Sequence, residues 1–267
     1  MVSGQTPSST QVLRMIEREW IVWKRIWRGS VFSAFVAPVL YLAAMGVGLG
    51  DLIDQSSGNV QGVSYLAFVA PGLLAASLVM NAAGESLWPV LGGVKWVGSY
   101  HAAVSTPVES SDVYLGQLLW GVIRGAFNAA VFLVVASVMG GVESVWGVLA
   151  IPAAVLGALA IAAPLSAWAI GRDDDASFAL IMRLGIFPLF LFSGTFFPVS
   201  QLPDAIEWLA VFSPLWHAVE LCRGATTGGA AGANTLAAVA VHVVVLVGFV
   251  GAGAWFGTRA FRRVLTR

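Results

Sequence analysis

The sequence predicts an all-α integral membrane protein with six transmembrane helices, and three observations predict it. Hydrophobic residues make up 58% of the 267 positions and charged residues only 10%, against about a quarter charged in a soluble domain. Mean hydropathy is +0.84, and charge this scarce cannot cover a soluble surface of this size. Six segments are apolar over roughly the 20 residues that a helix rising 1.5 Å per residue needs to cross the hydrocarbon. They are Val31–Leu49, Tyr65–Gly84, Leu115–Met139, Val148–Ile170, Ala179–Phe197 and Ala233–Phe256.

The elements follow in chain order. The first ten residues are polar, and apolar sequence begins only near Val31. A secretory signal starts its apolar run earlier and closes on a small-residue cleavage site. Neither is found, so the first span reads as retained. Between them lies QVLRMIEREWIVWKRIWRG, residues 11–29. Its apolar residues, including Trp20, Trp23 and Trp27, recur every three or four positions, and Arg14, Arg18, Lys24, Arg25 and Arg28 take much of the remaining surface. That pattern fits an amphipathic helix on the membrane surface, with indoles at headgroup depth and basic groups near anionic lipid. It is also compatible with a helix docked on its own protein. Gly29 is the expected turn into the first span.

Lysine and arginine placement sets the orientation. Arg14, Arg18, Lys24, Arg25, Arg28, Lys95, Arg124, Arg172, Arg183, Arg259, Arg262, Arg263 and Arg267 fall on or near one side, and only Arg223 on the other. With six spans both termini share that side, which is cytoplasmic. The formal charge is zero, so nothing favours a nucleic-acid partner. The single cysteine, Cys222, permits no intrachain disulfide and reads as a small buried hydrophobe.

The segment between spans two and three, residues 85–114, is moderately apolar and should fold against something. Ser110-Ser111-Asp112 resembles a helix start. In GRDDDAS the aspartates Asp173, Asp174 and Asp175 read as a solvated loop, although clustered carboxylates hold Mg²⁺ in other settings. Arg183 sits where its side chain can snorkel to headgroups. Arg124 is deeper and is expected to pair with Glu85 or to line a cavity.

The stretch LFSGTFFPVSQLPDAIEWLAVFSPL, residues 191–215, breaks the fifth span. Pro198 and Pro203 cannot continue a helical ladder, and a broken helix is tolerated in lipid only where protein or water covers it. Asp204–Glu220 then reads either as a short helix dipping in from outside or as an amphipathic helix lying flat on the outer surface. Trp208 and Trp216 serve as interface anchors in both readings.

Several chemistries lack their residues. There is no GxxxxGK[ST] phosphate loop, no HExxH and no GxSxG elbow. His101, His217 and His242 are far apart in sequence without metal-ligand spacing. No acidic or histidine relay crosses the spans, which disfavours a proton-coupled carrier. A lipid-modifying enzyme lacks its clustered groups at one membrane face.

Four blocks carry a resemblance. They are PVLYLAAMGVGLG (38–50), YLAFVAPGLLAASLVMNAAGES (65–86), KWVGSYHAAVSTPVESSDVYLGQLLW (95–120) and LFSGTFFPVSQLPDAIEWLAVFSPLWHAVELCRG (191–224). In order and spacing the chain resembles the membrane subunit of type-2 ABC exporters, and within that class the nodulation-factor exporter permease and its daunorubicin-resistance relatives. The resemblance implies one transmembrane domain over residues 1–267, with an interfacial helix at 11–29, a cytoplasmic coupling loop at 85–114 and an external re-entrant helical hairpin at 198–221, after the fifth span. It implies a second permease copy in a homodimer, two copies of a separate ABC ATPase that bind ATP and Mg, no cofactor in this chain, and a place in the bacterial cytoplasmic membrane among its lipids. The contact to the ATPase would involve His101, Thr106, Pro107, Glu109 and Asp112. The outer gate would hold Gly194, Phe197, Pro198, Leu202 and Pro203. Tyr41, Phe68, Arg124, Phe187, Phe190 and Phe196 are candidates for lining the path. The expected cargo is a hydrophobic drug or lipid-like amphiphile first, and a lipid-linked oligosaccharide or polysaccharide second.

Overall fold

Two properties of lipid dictate the architecture. Backbone amides in hydrocarbon must bond within their own segment, which favours helices. Helices gain little there from hiding apolar side chains, so they associate by close van der Waals packing. The computed structural model describes residues 9–57 and 59–266 and is an all-α, multi-pass membrane bundle. Its helices are α1 (Ser9–Leu42), α2 (Gly50–Ser57), α3 (Tyr65–Leu91), α4 (Ser99–Val104), α5 (Ser110–Val138), α6 (Ala150–Ala169), α7 (Phe178–Ile181), α8 (Phe187–Phe192), α9 (Asp204–Val211), α10 (Pro214–Thr226) and α11 (Leu236–Leu265). Among the described residues, four helical runs are long and apolar enough to cross a membrane: Tyr65–Trp96, Ser110–Val138, Val145–Ala169 and Leu236–Leu265. They correspond to the second, third, fourth and last expected spans.

Helix α3 is the spine, packed on α6, α10 and α5, while α11 lies against α6 and α1 against α5. Small residues set these approaches. A Cβ at Gly157 of α6 would overlap the Ala218 side chain of α10, and one at Gly253 of α11 would come within 2.6 Å of the Pro164 nitrogen. One cluster of buried side chains surrounds Leu74, Phe132, Ala154 and Leu215. A second, at the end of the bundle where α1 begins, gathers Met15, Leu91, Tyr100, Tyr114, Phe178 and Phe261. There the Tyr114 hydroxyl lies 3.0 Å from the carbonyls of Ala163 and of Gly253, so one side chain of α5 joins α6 to α11.

Two expectations need correction. The turn at Gly29 does not form, and α1 runs unbroken from Ser9 to Leu42. The proline of α1, Pro38, lies nine residues beyond Gly29, and one glycine inside a helix costs only about 1 kcal/mol. The fifth helical run covers only Phe178–Phe192 and stops five residues short of the expected Phe197. Ser193 leaves the helix and Gly194 takes φ +77°, the left-handed conformation that ends helices and suits glycine. The apolar Phe196 and Phe197 concealed that stop in the sequence. Residues 85–114, expected to fold against something, are largely helical: α3 continues to Leu91, a π turn follows at Gly92–Trp96, and α4 comes next.

The end of α3 and the π turn after it are tied to the aspartate loop at 173–175. Lys95 Nζ donates to Asp173 at 2.9 Å, and Trp88 Nε1 donates to Asp175 at 3.2 Å. The lysine contact holds the Asp173 carboxyl below its ordinary range.

The Tyr114 junction gives a stability prediction. A Cβ at Gly257 would overlap the Tyr114 ring, whereas one at Gly248 meets nothing within 4 Å. Gly257→Leu should lower the free energy of unfolding by about 1–3 kcal/mol, and Gly248→Leu should change it by less than about 0.5 kcal/mol. Equilibrium unfolding in mixed micelles measures both.

Candidate functional site

Three regions carry polar groups that a membrane bundle must account for. The first is the broken segment. After Gly194, Pro198 leads into a single 3-10 turn, Val199–Gln201, and Pro203 precedes α9. Helix α10 follows at once, with the Ser213 hydroxyl capping it on the Leu215 amide at 3.1 Å and touching the Ser193 hydroxyl at 3.0 Å. Gly194, Pro198 and Val199 are buried, Phe197 and Leu202 are half-buried, and Pro203 is exposed.

What holds this segment is Arg223 on α10, whose side chain is 1% exposed. Its Nη2 donates to the Gly194 carbonyl at 2.6 Å, its Nε to the Phe68 carbonyl at 3.2 Å and its Nη1 to Glu220 Oε1 at 3.0 Å. The guanidinium also lies 3.9 Å from the Phe68 ring centroid, a cation–π geometry. The planar fork thus joins α10, the end of α8 and the start of α3. Beside it, a Cβ on Gly72 would come within 2.8 Å of the Thr195 carbonyl, so only glycine lets α3 approach the broken backbone this closely. The Thr195 hydroxyl is buried without a hydrogen-bond partner among the described residues.

Sequence reasoning counted Arg223 as an outer-surface charge and saw no buried cation besides Arg124. The available signal was Glu220, three residues earlier on the same helix face. It also set His217 and His242 apart. The fold places their Nδ1 atoms 2.7 Å from each other, with Trp216 edge-on to both rings. Trp216 is half-buried against these rings, while Trp208 is 58% exposed. Cys222 is fully buried and free, as expected.

The second region is the start of α5. Glu109 and Asp112 form a capping box, each side chain accepting from the other's backbone amide. Asp112 is fully buried, whereas His101, Thr106 and Pro107 are exposed on α4 and the turn after it. Nearby, α1 packs on α5. Gly116 makes room for Met15, Trp20 and Trp23 stack at 5.2 Å, and each meets an aromatic ring of α5, Trp120 and Phe127. Arg14 and Trp27 are exposed, and Arg18 pairs with Glu19 at 2.9 Å.

The third region is a cavity of about 490 Å³ bounded by α1, α3, α5 and α6. Arg124 lines it and pairs with Glu85 at 2.8 Å, the partner its depth suggested. The aromatic candidates for a path scatter. Tyr41 and Phe187 are exposed, Phe190 and Phe196 stack on each other at 5.3 Å, and Phe68 is buried under Arg223. Among the described residues no group of three or more His, Cys, Asp or Glu is placed to hold a metal ion.

Comparison with known proteins shows the family. The family described as ABC-2 type transporter matches residues 10–226. Nodulation protein J of Rhizobium leguminosarum bv. viciae is 29% identical over 256 residues, covering 96% of this chain and 95% of that protein. Nodulation protein J of Rhizobium leguminosarum bv. trifolii is 30% identical over 251 residues, covering 94% and 92%. The inner membrane transport permease YadH of Escherichia coli is 24% identical over 215 residues, covering 77% and 82%.

The Arg223 junction predicts a large single-residue effect. Arg223→Met should destabilise the protein by about 3–5 kcal/mol, because Glu220 and two carbonyls lose a buried partner. Arg223→Lys should restore little of it, since an ammonium cannot span the three acceptors as a planar fork does. Unfolding in mixed micelles followed by circular dichroism reads both, and parental stability in either variant contradicts the assignment.

Proposed function

Because the chain belongs to the ABC-2 type transporter family, we propose that it is the permease subunit of an ATP-driven exporter whose cargo is a lipid-linked oligosaccharide. The observation that carries this reading is its likeness to nodulation protein J over 96% of its length. Nodulation protein J relatives recur across several rhizobia, which moves a lipo-oligosaccharide ahead of the drug that the sequence alone put first. The chain itself has no phosphate-binding loop and the family it belongs to is one of permeases. ATP and Mg belong to two copies of a separate ATPase, and two permease copies build the path in the bacterial cytoplasmic membrane. Both termini face the cytoplasm, six segments cross, and residues 198–221 re-enter from outside.

The geometry supports a route for the stroke. The ATPase seats on the exposed turn around His101, Thr106 and Pro107. Its motion reaches α5 through the Glu109–Asp112 box, and Tyr114, on the next turn of α5, passes it to the α6 and α11 carbonyls. At the far end Arg223 couples α3 to the broken segment, where the outer gate opens.

Two measurements test this. In lipid vesicles holding the chain with a candidate ABC ATPase, lipid-linked oligosaccharide should stimulate ATP hydrolysis where hydrophobic drugs leave it unchanged. Stimulation by drugs alone contradicts the cargo, and failure to recruit an ATPase contradicts the exporter. Glu109→Ala removes a cap worth about 1 kcal/mol. It should leave the chain inserted and reduce export, and unchanged ATPase association with unchanged export removes Glu109 from coupling.

A further inference from the structure

We propose that the cavity bounded by α1, α3, α5 and α6 binds the neutral carbohydrate head of an amphiphile, inside a single protomer. Its size, about 490 Å³, falls within the roughly 300–1,000 Å³ of small-molecule sites. Asn81 lies sixteen residues into α3, about 24 Å along the helix, so with Tyr65 at one face of a roughly 30 Å hydrocarbon layer the cavity lies toward the other face.

The charges in the cavity cancel. Its lining holds two cations and two carboxylates, joined as Arg18–Glu19 at 2.9 Å and Arg124–Glu85 at 2.8 Å. An anionic head group draws its affinity from free cations, and each cation here is already neutralised by its carboxylate. A polyol does not. A paired guanidinium keeps unused N–H donors, and a paired carboxylate keeps unused lone pairs. Ring hydroxyls can both donate and accept, so they match a lining that offers both at once.

Two amides strengthen the argument. Asn81 of α3 and Asn128 of α5 line the cavity, and among the described residues neither side chain has a hydrogen-bond partner in the protein. Asn81 is exposed and Asn128 half-buried, so both amides are open to a ligand in the cavity. Indole surface completes the set, with Trp88, Trp96 and Trp120 also in the lining. One face of a pyranose ring carries only C–H bonds, and it suits an aromatic face while the hydroxyl rim takes the polar groups.

The geometry alone gives a neutral polyhydroxylated head; that the head belongs to exported cargo rests on the exporter reading above. The test uses the full chain in phosphatidylcholine nanodiscs, without an ATPase, and follows tryptophan fluorescence. Octyl β-D-glucoside below its micellar concentration is titrated against octyl phosphocholine and 1-octanol, which share the tail. The glucoside should bind saturably and at least about tenfold more tightly than either other probe. Asn81→Leu with Asn128→Leu should remove that preference and leave octanol unchanged. Should the pair fail to insert, Gly121→Leu serves instead. Gly121 lines the cavity, a Cβ there meets nothing within 4 Å, and the added side chain should displace the glucoside.

Equal or tighter binding of phosphocholine would assign the cavity to a phospholipid head group and overturn the proposal. Glucoside binding no tighter than octanol, or unaltered by the cavity variants, would overturn it as well. Loss of glucoside binding with export intact counts against this site alone, whereas export failing with binding intact counts against the exporter reading.

Discussion

A guanidinium buried in a membrane bundle must spend its donors on something, and where Arg223 spends them fixes the unusual part of this fold. Two donors go to backbone carbonyls, Phe68 and Gly194, and one to Glu220. The chain leaves its helix at Ser193 and does not resume one until Asp204, apart from a single 3-10 turn. Carbonyls in such a stretch lack helical partners, and lipid offers none. Arg223 supplies one, and the same side chain fastens the stretch to the spine helix α3. Gly72 and Gly194 serve the same constraint, the first by close approach and the second by its left-handed φ.

The opposite end uses a neutral version of this device. There the Tyr114 hydroxyl meets carbonyls of α6 and α11, and Gly257 leaves space for its ring. A capping box at Glu109 and Asp112 sets the start of α5 one turn away. The bundle is therefore tied by polar side chains on backbone carbonyls near both ends, with small-residue contacts between helices along its length. Helix α3 takes part at both ends, in the buried cluster around Tyr114 and in the Arg223 junction.

Much of this was legible in the sequence, for identifiable reasons. Length and apolarity located the four long runs, because crossing hydrocarbon leaves few alternatives. Prolines 198 and 203 located the break. The depth of Arg124 suggested Glu85 as its partner, one helix away. The misses have a common cause, since they depend on tertiary contacts. Gly29 resembled a hinge but carries no local force sufficient to break α1. Phe196 and Phe197 extended the fifth apolar run past a stop that Gly194 and its neighbours impose. Arg223 counted as an outer charge because hydropathy places a residue along the membrane normal and says nothing about whether it faces inward. His217 and His242 meet only because α10 folds back onto α11.

If Arg223 is what holds the broken segment closed, its removal should open a buried position to water on the outer side. The direct measurement is labelling of Thr195→Cys in intact cells by a membrane-impermeant maleimide, with and without Arg223→Met. Thr195 is fully buried, and the native Cys222 is equally buried, so background reaction is small. The account predicts slow labelling with Arg223 present and labelling at least about tenfold faster without it, the difference expected when a few kcal/mol of local stability is lost. Equal rates in the two backgrounds, or labelling only after the membrane is permeabilised, would contradict it.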